Sequence, residues 1–420
     1  MGAAMWLQSI AGLLGICGLA WLASEDRPRR PWGLIAVGLG MQLLLALLLL
    51  RAPGFRDVIG LANDAVVALT AATEAGSSFV FGYLGGAAVP FEIIEGGSTL
   101  VIAFQVLTLV IVVSALTALL IHWRILPWIV RGFAALLERP FRLGGAAGLG
   151  MAANIFVGMV EAPLLVRPYL AGMSRSAMFA AMTTGMATVA GTVMALYALI
   201  MGPSVPGAAG HILAASIISA PAALMIAWIM IPEAADHEDQ SIEFATDEDG
   251  SVMNAIAAGT LDGLRLLAYV AAMLIVMLAL VALVNQILGL FTPLFGSALT
   301  VQGILGWLLW PVAWLIGIPW AEAAKAAELV GIKTVLNEFV AYLELANVPA
   351  EDLSARSRLI MTYALCGFAN FGSLGILTGG LMAMVPERRE DILSLGPKTL
   401  ISGTLATLMT GAVVGLLTVN

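Results

Sequence analysis

Two glutamates, each in an otherwise apolar stretch, are the residues of this sequence best suited to chemistry. Glu161 follows the string Asn154-Ile-Phe-Val-Gly-Met-Val, and Glu338 follows the string Lys333-Thr-Val-Leu-Asn. An ionisable side chain at membrane depth costs about 3 kcal/mol or more, so it usually faces a cavity and has a function. One such carboxylate in each half of the chain predicts a polar substrate held near the middle of a membrane.

The composition indicates that most of the chain is membrane-embedded. Of its 420 residues, 60% are hydrophobic and only 11% are charged, whereas soluble domains carry roughly 25% charged residues. The two cysteines and three histidines show no metal-ligand spacing, so no catalytic or metal centre built on them is expected. An acidic stretch from Glu233 to Asp249 supplies much of the net charge of -8 and predicts a solvated loop. There is no basic patch with interleaved aromatic residues, so nucleic acid is not an expected partner.

Apolar runs of roughly 20 residues predict the membrane spans. Eight such runs lie at 5–23, 32–50, 100–121, 177–201, 211–231, 266–289, 357–384 and 396–418. Arginines and lysines follow the first and third runs and separate the last two, and the positive-inside rule assigns these loops to the cytoplasm. Both termini are then expected outside a plasma (inner) membrane. Segments 53–80 and 122–142 mix polar or aromatic residues with apolar ones and predict two interfacial helices.

Two other apolar stretches, 143–173 and 294–345, are interrupted by glycine and proline and predict re-entrant hairpins. Each precedes a helix with its own weak point, at 183–192 and at 366–373. The order of hairpin and broken helix therefore occurs twice, with opposite membrane orientation. The predicted fold class is an all-α polytopic membrane protein with eight transmembrane helices, two opposed re-entrant hairpins in an inverted repeat, and interfacial helices. Matching interruptions in two halves point to the binding site of a secondary transporter.

The interrupted segments resemble those of the concentrative nucleoside transporter family, and the chain resembles a bacterial member of that family. The matching strings are Gly158-x-x-Glu161-Ala-Pro163, Gly185-Met-Ala-Thr188-Val-Ala-Gly191-Thr192, Gly317-Ile-Pro-Trp320, Lys333-x-x-x-Asn337-Glu338-Phe-Val-Ala-Tyr342 and Gly367-Phe368-Ala-Asn370-Phe371. They follow in family order and spacing, and the resemblance runs from about the first interfacial helix to the end. It implies a homotrimeric symporter, not an enzyme, that imports nucleosides with sodium or protons by an elevator-like movement.

The resemblance also implies a division of the chain. Residues 1–142 and 253–291 correspond to a scaffold that contains the first three spans and the sixth. Residues 143–232 and 292–420 correspond to the two repeats of a transport domain. Residues 233–252 are the acidic cytoplasmic loop between them.

Family positions assign roles to particular residues. The resemblance places Met159, Val160, Glu161, Val193 and Phe368 at the nucleobase, and Gly158 beside them among the substrate-binding residues. It places Glu338, Asn370 and Ser373 at the ribose hydroxyls. It implies a sodium site at Asn154, Val157, Thr188 and Val189, several of them through backbone carbonyls, and no other cofactor.

One departure from the family pattern bears on specificity. Many members carry Gln-Ser or Gln-Thr where this chain has Met159-Val160. An apolar site discriminates less than one that hydrogen-bonds its ligand, so we expect a broader or shifted base preference. Another small polar solute, such as a modified nucleoside or a nucleobase, is the alternative substrate.

The candidate residues also have structural interpretations. Glu338 could form an ion pair with Lys333, and Glu161 could carry a proton or cap the hairpin. Asn154 could cap a turn instead of binding a cation. An intramembrane enzyme is disfavoured because no nucleophile and base accompany the carboxylates. A channel is disfavoured because inverted hairpins indicate alternating access.

Overall fold

The computed structural model describes residues 2–27, 31–52, 54–93, 99–141, 143, 145–159, 161–233, 251–290 and 299–418. Its regular secondary structure is helical throughout these residues. The first half contains α1 (Gly2–Leu22), α2 (Trp32–Arg51), α3 (Phe55–Phe81), α4 (Thr108–His122), α5 (Ile125–Phe141), α6 (Gly145–Ala153), α7 (Glu161–Leu165), α8 (Arg167–Leu170), α9 (Arg175–Ala187), α10 (Gly191–Met201) and α11 (Ala208–Met230). The second half contains α12 (Val252–Gly289), α13 (Val301–Leu315), α14 (Trp320–Val335), α15 (Glu338–Asn347), α16 (Ala355–Leu365), α17 (Phe371–Met384) and α18 (Arg389–Leu417).

Both helices with predicted weak points are broken. The span predicted at 177–201 divides into α9 and α10, because Thr188 and Ala190 adopt extended backbone conformations. The span predicted at 357–384 divides into α16 and α17, where Asn370 begins the second piece as its N-cap. The Asn370 side-chain oxygen accepts a hydrogen bond from the Ser373 amide at 2.7 Å. This cap satisfies one of the amide donors that a helix start leaves open.

The hairpins are assembled from short helices. The first consists of α6, α7 and α8, and residues 154–159 link α6 to the tip. The second consists of α14 and α15, which meet at Leu336 and at Asn337, the N-cap of α15. The predicted second hairpin at 294–345 was too long, because Gly317 turns the chain at a φ of +104° and separates α13 from α14. Its first part, 294–298, lies outside the described residues.

Seven stretches of helix are long and apolar enough to cross a membrane within the described residues. They correspond to six of the predicted spans and to one addition, Gly60–Gly85, which lies where the sequence predicts an interfacial helix. The apolar residues of this stretch outweigh its few charges, and it is long enough to cross a membrane. Its length and composition therefore do not require an interfacial position. Two predicted spans are absent from the set. The span at 5–23 falls on α1, whose apolar part, Trp6–Leu22, is shorter than the seven. The span at 357–384 is divided into helices of 11 and 14 residues.

The second predicted interfacial helix is α5, which is amphipathic. Its buried residues recur every three or four positions, as a helix with one buried face requires. They are Leu126, Val130, Ala134, Leu137 and Phe141. Trp128 on the opposite face is 75% exposed, which suits the membrane interface.

The core lies around α9, α11 and α18, whose side chains are mostly buried. Helices α1 and α2 pack against α11 and α18. By contrast, α12 packs along α4 and is otherwise largely exposed. Gly259 and Gly263 allow this close approach, since a Cβ atom at either position would lie within 2.7 Å of α4 atoms. Small residues four apart are typical of tightly packed membrane helices.

Candidate functional site

A cavity of about 510 Å³ lies where the two hairpin tips, the start of α10, the start of α17 and the middle of α12 meet. Every predicted substrate residue that the structure describes lines this cavity. These residues are Gly158, Met159, Glu161, Val193, Glu338, Phe368, Asn370 and Ser373. Val160 lies outside the described residues. The two halves of the chain therefore contribute to one site, as the matching interruptions predict.

Glu338 is the first residue of α15 and is only 5% exposed. Its Oε1 accepts a hydrogen bond from the Tyr197 hydroxyl at 2.6 Å. Its Oε2 accepts one from the Asn370 side-chain nitrogen at 2.8 Å. A carboxylate at a helix N-terminus is further favoured by the helix dipole. Each oxygen retains acceptor capacity, so the carboxylate can still receive hydroxyl donors from a ligand.

The broken second helix fixes the partners of Glu338. Asn370 is 1% exposed and uses both ends of its amide: the oxygen caps α17 and the nitrogen donates to Glu338. Ser373, one turn later, also lines the cavity. Asn370 therefore caps α17 and lies at the cavity wall at the same time.

Lys333 does not neutralise Glu338 in a direct ion pair. Its Nζ donates to the Ala364 carbonyl at 3.1 Å and to the Thr407 hydroxyl at 2.9 Å. The hydrogen bonds of Glu338 go to Tyr197 and Asn370 instead. The structural alternative raised for Glu338, an ion pair with Lys333, is therefore wrong.

The tip of the first hairpin presents Glu161 to the cavity. Glu161 begins α7, and its side chain is exposed. A Cβ atom on Gly158 would lie 1.9 Å from Glu161 Oε2. Glycine at this position therefore allows the carboxylate to fold back over the hairpin backbone. Met159 beside it is 8% exposed and contributes an apolar surface.

Sequence reasoning missed several cavity residues. Tyr197 lies on an apolar helix, six residues after the start of α10, and its partner is distant in sequence. Thr192 lies beside the predicted Val193. Helix α12 contributes Asp262, Arg265 and Tyr269. The Asp262–Arg265 ion pair, at 3.1 Å and three residues apart, was visible in the sequence as a charged pair within an apolar helix.

The predicted cation site has a suitable oxygen. Asn154 is 2% exposed, and its Oδ1 is buried without a hydrogen-bond partner. Its Nδ2 donates to the Ala181 carbonyl at 3.4 Å. The Thr188 hydroxyl lies 2.7 Å from the Asn154 backbone carbonyl and 2.8 Å from that of Thr184. Oxygen donors of this kind fit a hard cation such as sodium.

The remaining predicted cation residues, Val157 and Val189, are buried in the same region. The Val189 amide lies 3.4 Å from the Ser216 hydroxyl, which itself donates to the Ile155 carbonyl. Within the described residues, no group of three His, Cys, Asp or Glu side chains could hold a metal ion. The oxygen donors around Asn154 therefore differ from the imidazole and thiolate ligands that transition metals prefer.

An all-helical membrane protein whose paired hairpins and broken helices surround a largely apolar cavity with a few charged and polar groups belongs to the class of secondary transporters. Family models agree with this class. Residues 211–415 match the model for the Na+ dependent nucleoside transporter C-terminus, residues 11–84 match its N-terminus, and residues 103–204 match a nucleoside recognition model. The chain therefore belongs to the Na+-dependent nucleoside transporter family, whose members are transporters and not enzymes.

Relatives match along the whole chain. The chain is 38% identical to an uncharacterized transporter of Haemophilus influenzae over 98% of this chain and 97% of that protein. It is 37% identical to the nucleoside permease NupC of Helicobacter pylori, with 98% and 97% covered. It is 35% identical to the sodium/nucleoside cotransporter 1 of Mus musculus, with 98% of this chain and 64% of that protein covered.

Solved structures of CNTnw resemble this fold in two conformations. The inward-facing substrate-bound state aligns with a TM-score of 0.89 and 37% identity, covering 99% of this chain and 98% of that one. A variant in an outward-facing state aligns with a TM-score of 0.91 and 36% identity over 99% and 98% of the two chains. The overall fold is thus similar to both an outward-facing and an inward-facing transporter.

Proposed function

We propose that this protein imports nucleosides in symport with sodium. The observation that carries the proposal is the arrangement of Glu338, Asn370 and Ser373 at the wall of one cavity. A carboxylate can accept hydrogen bonds from both hydroxyls of a vicinal diol, and such charge-assisted bonds are about twice as strong as neutral ones. Ribose carries this diol. The name of the Helicobacter pylori relative, a nucleoside permease, supports the same substrate class.

The other end of the cavity suits a flat, weakly polar base. Met159, Val193 and Phe368 give it apolar surfaces, and Glu161 gives one carboxylate. In this proposal Glu161 contacts the exocyclic or ring N–H groups of the base. Because Met159 offers no hydrogen bond, base discrimination is weak.

The charge of the cavity argues against phosphorylated substrates. Its charged lining residues, within the described part of the chain, are Glu161, Asp262, Glu338 and Arg265. Three carboxylates and one guanidinium leave an excess of negative charge, which repels a phosphate. Neutral nucleosides fit this balance better than nucleotides.

Sodium is the proposed coupling ion. The unpartnered Asn154 Oδ1 and the Thr188 hydroxyl supply oxygens, and carbonyls of Val157 and Val189 complete the proposed set. The family is described as Na+ dependent, which supports the same ion. Protons are the alternative, with Glu161 as their carrier.

Movement past α12 is the proposed mechanism. The cavity has one wall on the hairpins and broken helices and another on α12 through Arg265, Tyr269 and Met273. A unit that slides along α12 would carry the site across the membrane, as an elevator does. In this proposal α4 and α12 belong to a fixed scaffold, with residues 143–232 and 292–420 in the moving domain.

The same proposal includes the assembly and the membrane orientation: the protein is a homotrimer in the inner membrane, with both termini outside and loop 233–252 in the cytoplasm.

The experiment is an uptake matrix in proteoliposomes. Radiolabelled uridine, adenosine, uracil and AMP are each offered with a sodium gradient, with a pH gradient alone, and with neither. Saturable uridine and adenosine uptake that needs sodium is the expected result. Thr188→Val should raise the sodium concentration for half-maximal uptake without changing the substrate preference. Absence of saturable nucleoside uptake under every gradient contradicts the proposal.

Free nucleobases or a modified nucleoside are the second candidate substrates. The observation that favours them is the apolar Met159, which removes a family hydrogen-bonding group from the base end. Uracil uptake at least equal to uridine uptake in the same matrix would support this alternative. It would also remove the ribose role from Glu338 and Asn370.

A further inference from the structure

Lys333 is a fully buried lysine in the last turn of α14. It does not line the cavity, and it bonds to neither Glu161 nor Glu338. Its Nζ donates to the Ala364 carbonyl at 3.1 Å and to the Thr407 hydroxyl at 2.9 Å. Because burying an amine is costly, these two bonds indicate a specific role for it.

The first bond caps the broken helix. Ala364 lies in the last turn of α16, where the helix ends and its carbonyls need partners from outside the regular ladder. The Thr362 carbonyl accepts from the Tyr342 hydroxyl at 2.7 Å, and the Ala364 carbonyl accepts from Lys333. A lysine near a helix C-terminus bonds such carbonyls and is favoured by the helix dipole. Lys333 therefore acts as a cap that a different helix supplies.

The second bond connects the break to α18. The Thr407 hydroxyl also donates to the Thr404 carbonyl at 3.1 Å, so it presents a lone pair to Lys333. A Cβ atom on Gly367 would lie 2.7 Å from Thr407 Cγ2. The break therefore rests directly against the residue that Lys333 holds.

One short segment of the second hairpin thus holds both ends of the break. Lys333 bonds Ala364 before it, and Glu338 accepts from Asn370 after it at 2.8 Å. Phe368, between these two attachment points, lines the cavity.

We propose that Lys333 is a positioning residue that sets the geometry of residues 364–370. By fixing the end of α16, it keeps Phe368 in the cavity and aligns the Asn370 amide with Glu338. The hairpin and the broken helix then move as one unit. The part of this inference that concerns ribose selectivity rests on the proposed nucleoside function, whereas the part that concerns the break does not.

The test compares Lys333→Met with wild type and with Lys325→Met. Lys325 lies on the same helix, is 37% exposed and pairs with Glu328, so it controls for the substitution itself. Hydrogen-exchange mass spectrometry of the ligand-free protein in detergent reports on peptides that cover 364–372. We expect exchange there to rise about tenfold or more in Lys333→Met, as the loss of a buried charge-assisted bond predicts. The Lys325→Met protein should exchange as wild type does.

A second readout links the break to selectivity. Uptake of uridine is compared with uptake of 3′-deoxyuridine. Wild type and Lys325→Met should prefer uridine, and Lys333→Met should lose most of this preference through a raised KM. Wild-type exchange at 364–372 in Lys333→Met overturns the inference whatever the substrate is. Failure of the wild type to take up any nucleoside contradicts the proposed function and leaves the exchange result decisive for Lys333.

Thr407→Val is the second variant for the hydrogen-exchange test, to be used if Lys333→Met does not reach the membrane. This nearly isosteric change removes the acceptor and leaves the lysine in place. Faster exchange at 364–372, in the same direction but smaller, supports the inference. Unchanged exchange in a folded Thr407→Val protein overturns it.

Discussion

At the residue scale, Glu338 depends on a partner that its local sequence does not reveal. The carboxylate was predictable because an ionisable residue stands in an apolar string next to an N-capping asparagine. Tyr197 was not, since 141 positions separate it from Glu338 and a tyrosine on an apolar helix is normally read as packing. Its ring also packs at 5.1 Å from that of Tyr342. Tyr197 therefore orients Glu338 from the opposite repeat.

Replacing Tyr197 with phenylalanine tests this role. The change removes the 2.6 Å hydrogen bond to Glu338 and little volume. We expect nucleoside affinity to fall roughly 5- to 10-fold, because one buried hydrogen bond contributes about 1 kcal/mol. Calorimetric titration of purified protein measures the affinity. Tyr83→Phe, at an exposed position, should bind as wild type does; equal affinities of the two variants would show that the bond does not matter.

At the element scale, broken helices were easier to predict than their exact joints. Glycine and polar residues within apolar runs revealed the weak points at 183–192 and 366–373, and the structure breaks at 188–190 and 366–370. The boundary between α13 and α14 was missed because 294–345 was interpreted as one interrupted segment, although Glu322, Lys325 and Glu328 distinguish α14 from the apolar α13. The turn there depends on the positive φ of Gly317, which is a backbone property.

The tip of the first hairpin provides an element-scale prediction through Gly158. In Gly158→Ala the new Cβ atom would lie 1.9 Å from Glu161 Oε2. The far end of a flexible side chain can swing away, so we expect the protein to keep its thermal stability while the Glu161 carboxylate leaves its position. Uptake should fall at least about tenfold, as expected when a binding group is misplaced.

The matched control for this change is Gly379→Ala on α17, where no atom lies within 4 Å of the new Cβ. It should retain wild-type uptake. Uptake is measured at equal amounts of protein in the vesicles, with thermal stability measured in detergent. Normal uptake by Gly158→Ala would refute a role for the Glu161 position.

At the scale of the whole molecule, a charged network connects three distant parts of the chain. Glu25, after α1, pairs with Arg175 at 3.1 Å and with Lys398 of α18. Arg175 also pairs with Asp391 at 3.1 Å. No local pattern predicts contacts between residues 150 or more positions apart. The network joins the start of the chain to α9 and α18, in agreement with the packing of α1 and α2 on the core.

The pKa of Glu25 gives this network a pH dependence. Partial burial raises the pKa, but hydrogen bonds and charges from Lys398 and Arg175 outweigh it and hold the pKa below its usual value of 4.5. A lowered folded-state pKa stabilises the fold above the unfolded pKa and loses that effect as pH falls through the folded value. Glu25→Gln should therefore melt about a degree or two below wild type near neutral pH, because ion pairs that are a third exposed contribute about 1 kcal/mol or less.

The difference between wild type and Glu25→Gln should vanish in acid. Melting temperatures of both proteins are measured between about pH 7 and pH 3, the range in which a carboxyl group titrates. Asp26→Asn, a change at the exposed neighbour, is the control and should shift little. A difference that is the same at every pH would show that Glu25 stabilises the fold without its charge.

The central claim is that the carboxylate of Glu338 holds the ribose of a nucleoside. The measurement that tests it most directly is calorimetric binding of uridine and uracil, with sodium present, to wild type, Glu338→Gln and Glu344→Gln. Glu344 is an exposed glutamate on the same helix and serves as the matched control.

Wild type and Glu344→Gln should bind uridine and reject uracil. Glu338→Gln should bind uridine roughly 10- to 100-fold more weakly, because a hydrogen bond to a charged group contributes about 1.5–3 kcal/mol. Uracil binding as tight as uridine binding, or unchanged uridine binding by Glu338→Gln, would contradict the account.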